Sequence, residues 1–177
     1  MFYTINNPLF YFSSMHYIIL ASLLAATAFA GGQFSSINDQ VGSGSGTAYT
    51  LQGQGHITGV RVWHSGNLIY GFQLRFGDIW SDRAGLATGL IETFELWDDE
   101  VIVQVSGTWS HYINWIQFVT NRGRSLIAGL PSGQTFNMYP QHPKAELCTI
   151  SGRYHGAITG FAAQWNVISD SNDNAGK

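Results

Sequence analysis

The chain is short of charge, cysteine and proline. Only 11% of its 177 residues are charged, the eight Lys and Arg are scattered, and the formal net charge is −3. Without a basic patch there is no electrostatic footprint for nucleic acid or for an anionic membrane, and neither is expected as a partner. Cys148 is the single cysteine. That excludes an intrachain disulfide and a cysteine-built zinc cluster, and leaves the residue to serve as a small buried hydrophobe. The histidines form no His-x-His or His-x-x-x-His pair, so no metal and no other cofactor is expected. Asn-x-Ser/Thr acceptors are also absent, so the chain is not expected to be N-glycosylated. Nor does any window of a dozen residues carry an apolar stripe of helical period.

What is present is glycine (21 residues) and aromatic side chains (14%), the composition of a sheet protein with many turns. Hydrophobicity is too high for disorder, and the length suits one domain plus a leader, with a real core. Residues 1–30 hold no Asp, Glu, Lys or Arg. There the run YIILASLL (Tyr17–Leu24) leads to Ala28-Phe29-Ala30, a small-x-small cleavage pattern. The apolar run is too short to span a membrane comfortably, so 1–30 reads as a secretory signal peptide cut after Ala30, with Met15 as an alternative start. A mature domain over 31–168, a polar tail over 169–177 and an extracellular location follow, with no membrane span in the mature protein.

From Gly31 onward the pattern is short strands punctuated by turns. Expected strands are Gln33–Ile37, Thr58–Trp63, Leu68–Phe76, Glu92–Leu96, Val101–Val105, Asn114–Thr120, Leu126–Leu130, Thr135–Tyr139, Glu146–Ile150 and Ala157–Val167. Several alternate with the two-residue period of a half-buried strand, and connectors such as Ser65-Gly66-Asn67 and Pro131-Ser132-Gly133 are turn-forming. Three blocks, 58–76, 92–105 and 114–130, have the size and texture of hairpins. An all-β sandwich, barrel or prism is implied.

Three loops are candidates for function. Gly42–Gly46 reads GSGSG. It lacks the spacing and following helix of a nucleotide fingerprint, and Gly44 stands where a nucleophile elbow needs serine, but Gly42, Gly44 and Gly46 would let backbone amides reach a ligand. Gly107–Trp115 reads GTWSHYINW. Strand alternation would put Trp109 and His111 on one side and Tyr112 on the other, with Ser110 and His111 offering hydrogen bonds to sugar hydroxyls and Trp115 in the core. The third, Gly152–Thr159, is a turn-rich crossing that includes Arg153, Tyr154, His155, Gly156 and Ala157. A loop that presents amides beside aromatic edges suits a polyhydroxylated guest better than covalent chemistry.

Taken together, GSGSG, RFGDIWSDRAG (Arg75–Gly85), VIVQVSG (Val101–Gly107), FVTNRGRSL (Phe118–Leu126) and SGRYHGAITGFAAQW (Ser151–Trp165) resemble the jacalin-related lectins, and within them the animal zymogen granule membrane protein group. The resemblance covers roughly Ser36 to Asn166. It implies a β-prism of three four-stranded sheets with pseudo-threefold symmetry, and one sugar site built from a glycine-rich loop, a recognition loop and a closing loop. These map to Gly42–Gly46, Trp109–Tyr112 and Gly152–Thr159. The family's closing loop has the form G-x-x-x-D; here Gly156 and Ala157 supply amides and Thr159 takes the place of the Asp. Charge-assisted bonds are about twice as strong as neutral ones, so Thr in place of the Asp would cost about 1.5–3 kcal/mol of affinity. Lysines found in the recognition loop of that group are missing, and Arg153 is the one local cation. The resemblance therefore implies a lectin for neutral or mannose-type glycans on glycoproteins, or alternatively an interaction or packaging protein whose sugar site has decayed.

The carboxylates do not assemble a glycosidase pair. Glu92 and Glu95 are three apart on a strand and face opposite sides, Asp98, Asp99 and Glu100 belong to a solvated turn, and Asp78 and Asp82 flank Trp80 in a loop. An enzyme is not expected.

Overall fold

The computed structural model describes residues 34–168. The signal peptide read over 1–30 and the tail over 169–177 lie outside them. Thirteen strands run in the order β1 (Ser35–Ile37), β2 (Thr47–Leu51), β3 (Ile57–Ser65), β4 (Leu68–Phe76), β5 (Ile79–Trp80), β6 (Ala84–Gly85), β7 (Leu90–Glu95), β8 (Ile102–Trp109), β9 (Ile113–Thr120), β10 (Ser125–Gly129), β11 (Gln134–Met138), β12 (Glu146–His155) and β13 (Ala157–Asn166). There is no helix among the described residues that is long and apolar enough to cross a membrane.

The strands form three antiparallel sheets, ordered β5-β4-β3-β7, β10-β9-β8-β11 and β1-β13-β12-β2. Short β5 and β6 both lie along β4, β5 on Arg75–Phe76 and β6 on Gly71–Phe72, so they read as one interrupted outer strand. Each sheet is then a central hairpin with one strand on either side. In the first two sheets the next strand in the chain pairs with the hairpin's second strand and the one after with its first. The third sheet repeats this pattern, but its outer strands β1 and β2 come from the beginning of the chain and its hairpin, β12–β13, from the end. This is the β-prism with threefold-related sheets that the motifs implied.

Nine of the ten expected strands correspond to structure over most of their length, and Gln33 of the tenth lies outside the described residues. Of the three hairpin blocks only 58–76 is a central hairpin. Block 92–105 joins two different sheets, and 114–130 pairs a central strand with an edge. Strand β2 escaped notice because TAYTL carries only two buried side chains, Tyr49 and Leu51.

The three inner faces converge on aromatic rings. Phe161 of the third sheet meets Phe72 of the first at 5.7 Å and Phe118 and Phe136 of the second at 6.5 and 6.0 Å, while Phe72 and Phe118 meet edge to face at 6.3 Å. Trp165 is fully buried beside them, its indole N–H donated to Asn38 Oδ1 at 2.6 Å. Trp115 differs from expectation. It is half-buried on the outer side of β9, because the inward positions are Ile116 and Phe118.

Candidate sugar-binding surface

Two strands bring the predicted loops to one end of the prism. Strand β12 starts at Glu146 and ends at His155, so its termini stand about 30 Å apart at the strand rise of about 3.3 Å per residue. The His155 end is linked to the turn that follows Trp109 through the glycine loop, in which Ser43 bonds the His111 carbonyl and Gly46 lies against Tyr154 and His155. Strand β12 continues through Arg153 and Tyr154 to His155, and the chain reverses at Gly156 with His155 opposite Ala157. The crossing expected over 151–156 is therefore mostly strand. Gly152 makes this possible, since a Cβ there would collide with the Gly160 carbonyl of β13.

The glycine loop lies across this hairpin. Gly42, Gly44 and Gly46 all adopt positive φ (98°, 68° and 88°), backbone conformations that side-chain-bearing residues rarely take. Cβ atoms at Gly42 and Gly46 would strike the carbonyls of Thr159 and Tyr154. The loop is then stitched down by hydrogen bonds. Ser43 N–H donates to the His111 carbonyl at 3.4 Å, Gly44 N–H to the Thr159 carbonyl at 2.9 Å, and Arg153 Nη1 to the Gly46 carbonyl at 2.7 Å. All three predicted loops thus share one surface.

Several residues have roles there that strand alternation could not foresee. Ser110, His111 and Tyr112 form a three-residue turn closed by Ser110 N–H to the Tyr112 carbonyl at 2.9 Å. The side-to-side alternation expected for Trp109–Tyr112 therefore stops at Trp109. The Tyr112 ring instead packs edge-on against His111 at 4.6 Å. Ser110 and His111 are exposed, Tyr112 is half-buried, and Trp109 and Tyr154 are half-buried against the core. Arg153, His155 and Gly156 are exposed, and Ala157 is buried as the first residue of β13.

Thr159 is fully buried, and its hydroxyl donates to the Ser45 carbonyl. The Gly44 amide, expected to face a ligand, is already donated to the Thr159 carbonyl. Both groups hold the surface together from beneath. Gln40 was not foreseen. Its exposed side-chain amide lies beside Gly44 and Gly160 at the rim, and no motif marks it. Tyr49 is likewise hidden in sequence. Its hydroxyl donates to the Gly160 carbonyl at 3.1 Å, and burial pushes its pKa far above the usual phenol value.

No carboxylate occurs in the three loops, so Arg153 sets the local charge. The chain's acids concentrate elsewhere. At the opposite end a cleft of about 560 Å³ is lined by His56, Arg75, Asp78, Trp97 and Glu100, and none of the predicted site residues reaches it. Glu100 corrects the solvated turn expected at 98–100. It is buried, accepting from the Trp97 amide (2.9 Å), the Thr120 hydroxyl (2.7 Å) and Arg124 (2.5 Å). Burial acts to raise its pKa, but these donors together outweigh it and hold the carboxyl below the ordinary carboxylate range. The buried acid of that cleft is already fully partnered, and the loop surface is the better candidate.

A family model for the jacalin-like lectin domain matches residues 38–163, a span that includes all three loops. The chain belongs to the jacalin-like lectin family. It is 36% identical over 160 residues to human zymogen granule membrane protein 16, covering 87% of this chain and 96% of that one. It is 33% identical over 158 residues to the rat prostatic spermine-binding protein, covering 86% of this chain and 56% of that one. The crystal structure of a prostate-specific WGA16 glycoprotein lectin superposes with a TM-score of 0.65 at 27% identity, covering 73% of this chain and 97% of that one. Membership of this family makes carbohydrate binding the general activity to which the loop surface is referred.

Proposed function

We propose that this protein is a secreted lectin that binds neutral or mannose-type glycans through the surface formed by Gly42–Gly46, Ser110–Tyr112 and Arg153–Gly156. The observation that carries this reading is the joining of the three loops by the Ser43–His111, Gly44–Thr159 and Arg153–Gly46 hydrogen bonds. They present an exposed imidazole, a phenol edge and the turn at Gly156 on one face. Aromatic faces pack on the C–H face of a sugar ring, while N–H and O–H groups pair with its hydroxyls. No metal or cofactor is called for in such direct recognition, and no bond-breaking step is assigned to it.

The spermine named for the rat relative is a polycation. A carboxylate-free surface bearing Arg153 offers it no counter-charge, and for this surface the glycan reading is preferred. Secretion is proposed from the apolar run and Ala28-Phe29-Ala30 pattern of the first thirty residues, and the granule location in the name of the human relative supports it. Sequencing the N-terminus of protein collected from a secreting cell's medium should begin at Gly31; a start before the apolar run would refute the cleavage.

The functional test is a glycan array run with the protein and with His111→Ala and Tyr112→Ala variants. The expected result is binding to neutral or mannose-terminated glycans that free mannose competes away. Each variant should bind about fivefold to tenfold less, the scale of one hydrogen bond to the sugar, with an unchanged unfolding midpoint. Silence of the unmodified protein on the array would transfer the function to protein partners.

A further inference from the structure

We infer that Thr159 is a positioning residue of this sugar surface, acting from beneath as a two-point staple on the glycine loop rather than touching the ligand. The inference rests on the glycan reading above. Thr159 is fully buried, yet it engages two consecutive residues of the loop: its carbonyl accepts the Gly44 amide at 2.9 Å, and its hydroxyl donates to the Ser45 carbonyl. One residue therefore satisfies a donor and an acceptor that would otherwise be unpaired where the loop crosses β13. The fit is close, since even a Cβ on Gly42 would collide with the Thr159 carbonyl. The same loop is also tied by Ser43 to the His111 carbonyl at 3.4 Å and by Arg153 to the Gly46 carbonyl at 2.7 Å, and it is flanked by the Val41–Phe161 backbone pair. Removing the hydroxyl leaves the Ser45 carbonyl without a donor and frees the centre of the loop.

Charge follows from the same geometry. The group facing position 159 is a carbonyl oxygen, an acceptor, so a hydroxyl can bond it and an ionised carboxylate cannot. An Asp there would place two acceptors together in a water-excluded site, which is unfavourable by burial and by repulsion. The loop would lift to relieve it. This site is therefore built around a neutral donor, and restoring the acid of the family's closing loop is expected to weaken it. A residue in direct contact with sugar predicts the opposite sign.

The experiment compares the unmodified protein with Thr159→Ser, Thr159→Val and Thr159→Asp by amide hydrogen exchange of Ser43–Gly46, by mannose-glycan binding and by thermal unfolding. Valine keeps the shape and removes the hydroxyl; serine keeps the hydroxyl. With the staple in place, Gly44 and its neighbours should exchange about tenfold faster in the Val and Asp variants, glycan binding should fall by about the same factor, and Ser should behave like the parent. Equal loop protection in Val and parent overturns the staple, as does stronger glycan binding by Asp than by the parent at neutral pH. Faster exchange spread evenly over all strands overturns it too, since that marks general destabilisation. If no form binds glycan but the loop amides are released in Val and Asp and not in Ser, the staple holds and the glycan reading fails.

Discussion

At Glu100 a carboxylate lies beneath Arg124, whose guanidinium also covers Trp97 at 4.0 Å and Phe94 at 4.7 Å. Read as sequence, WDDE is a polar turn; in space its last acid is drawn inward by three donors. Removing one partner of a buried ion pair strands the other, so Glu100→Gln should cost about 3 kcal/mol near neutral pH. The sign of its pH dependence follows from the lowered pKa. A group depressed in the folded state contributes fully above its unfolded value, about 4.3, and loses that contribution as pH falls through the folded value. Urea midpoints of parent and variant should therefore differ at pH 7 and converge toward pH 3; a gap that stays constant would deny Glu100 this role. Cys148 is half-buried with its thiol donated to the Gln164 carbonyl at 3.3 Å, and its pKa is raised by burial and by the charge of Glu146. It is a packed thiol, but half-buried where its isolation in the sequence suggested a buried hydrophobe.

Strand β12 is the element on which the candidate surface depends, and Gly152 is its narrowest point. The register pairs Gly152 with Phe161 and Arg153 with Gly160, and shifts by one residue just beyond, between Arg153 and Tyr154. The residue left over by that shift is Thr159 of β13, and beside it Arg153 reaches the Gly46 carbonyl. A methyl at Gly152 would meet the Gly160 carbonyl and the Phe161 amide, both backbone, so neither can rotate away. Gly152→Ala is expected to cost about 2 kcal/mol in urea denaturation. It should also release the Ser43–Gly46 amides to exchange; unaltered stability would show that the two strands have slack. The turn signals in ISGRYHG were legible, but they fall on a strand. Glycine here serves close approach between neighbours, and a single sequence does not distinguish that use from a loop.

For the whole molecule the decisive residue is Phe161, the ring at which all three sheets meet. Phe161→Ala should destabilise by about 3–5 kcal/mol, because the cavity opens where no single sheet can collapse into it. Chemical denaturation followed by tryptophan fluorescence should show one cooperative transition, shifted as a whole. Two separated transitions would mean that the sheets are independent. The dependence is topological as well, since the third sheet takes β1 and β2 from the start of the chain and β12 and β13 from the end.

Composition and local pattern determined much by themselves. Alternating apolar positions and Gly-rich turns place strands because side chains alternate at a period of two and only certain residues reverse a chain. Five motifs in fixed order then identify the family, and with it the prism and a candidate sugar-binding end. Tertiary structure alone decided which groups at that end remain available. The amide of Gly44 and the hydroxyl of Thr159 look free in the sequence, yet they face each other's loops and bond there. It also decided that Glu100 is buried and that strand β12 runs on to His155. The physical reason is common to all three. Hydrogen-bond partners come from residues distant in the chain, and no local pattern encodes which distant carbonyl or guanidinium will arrive.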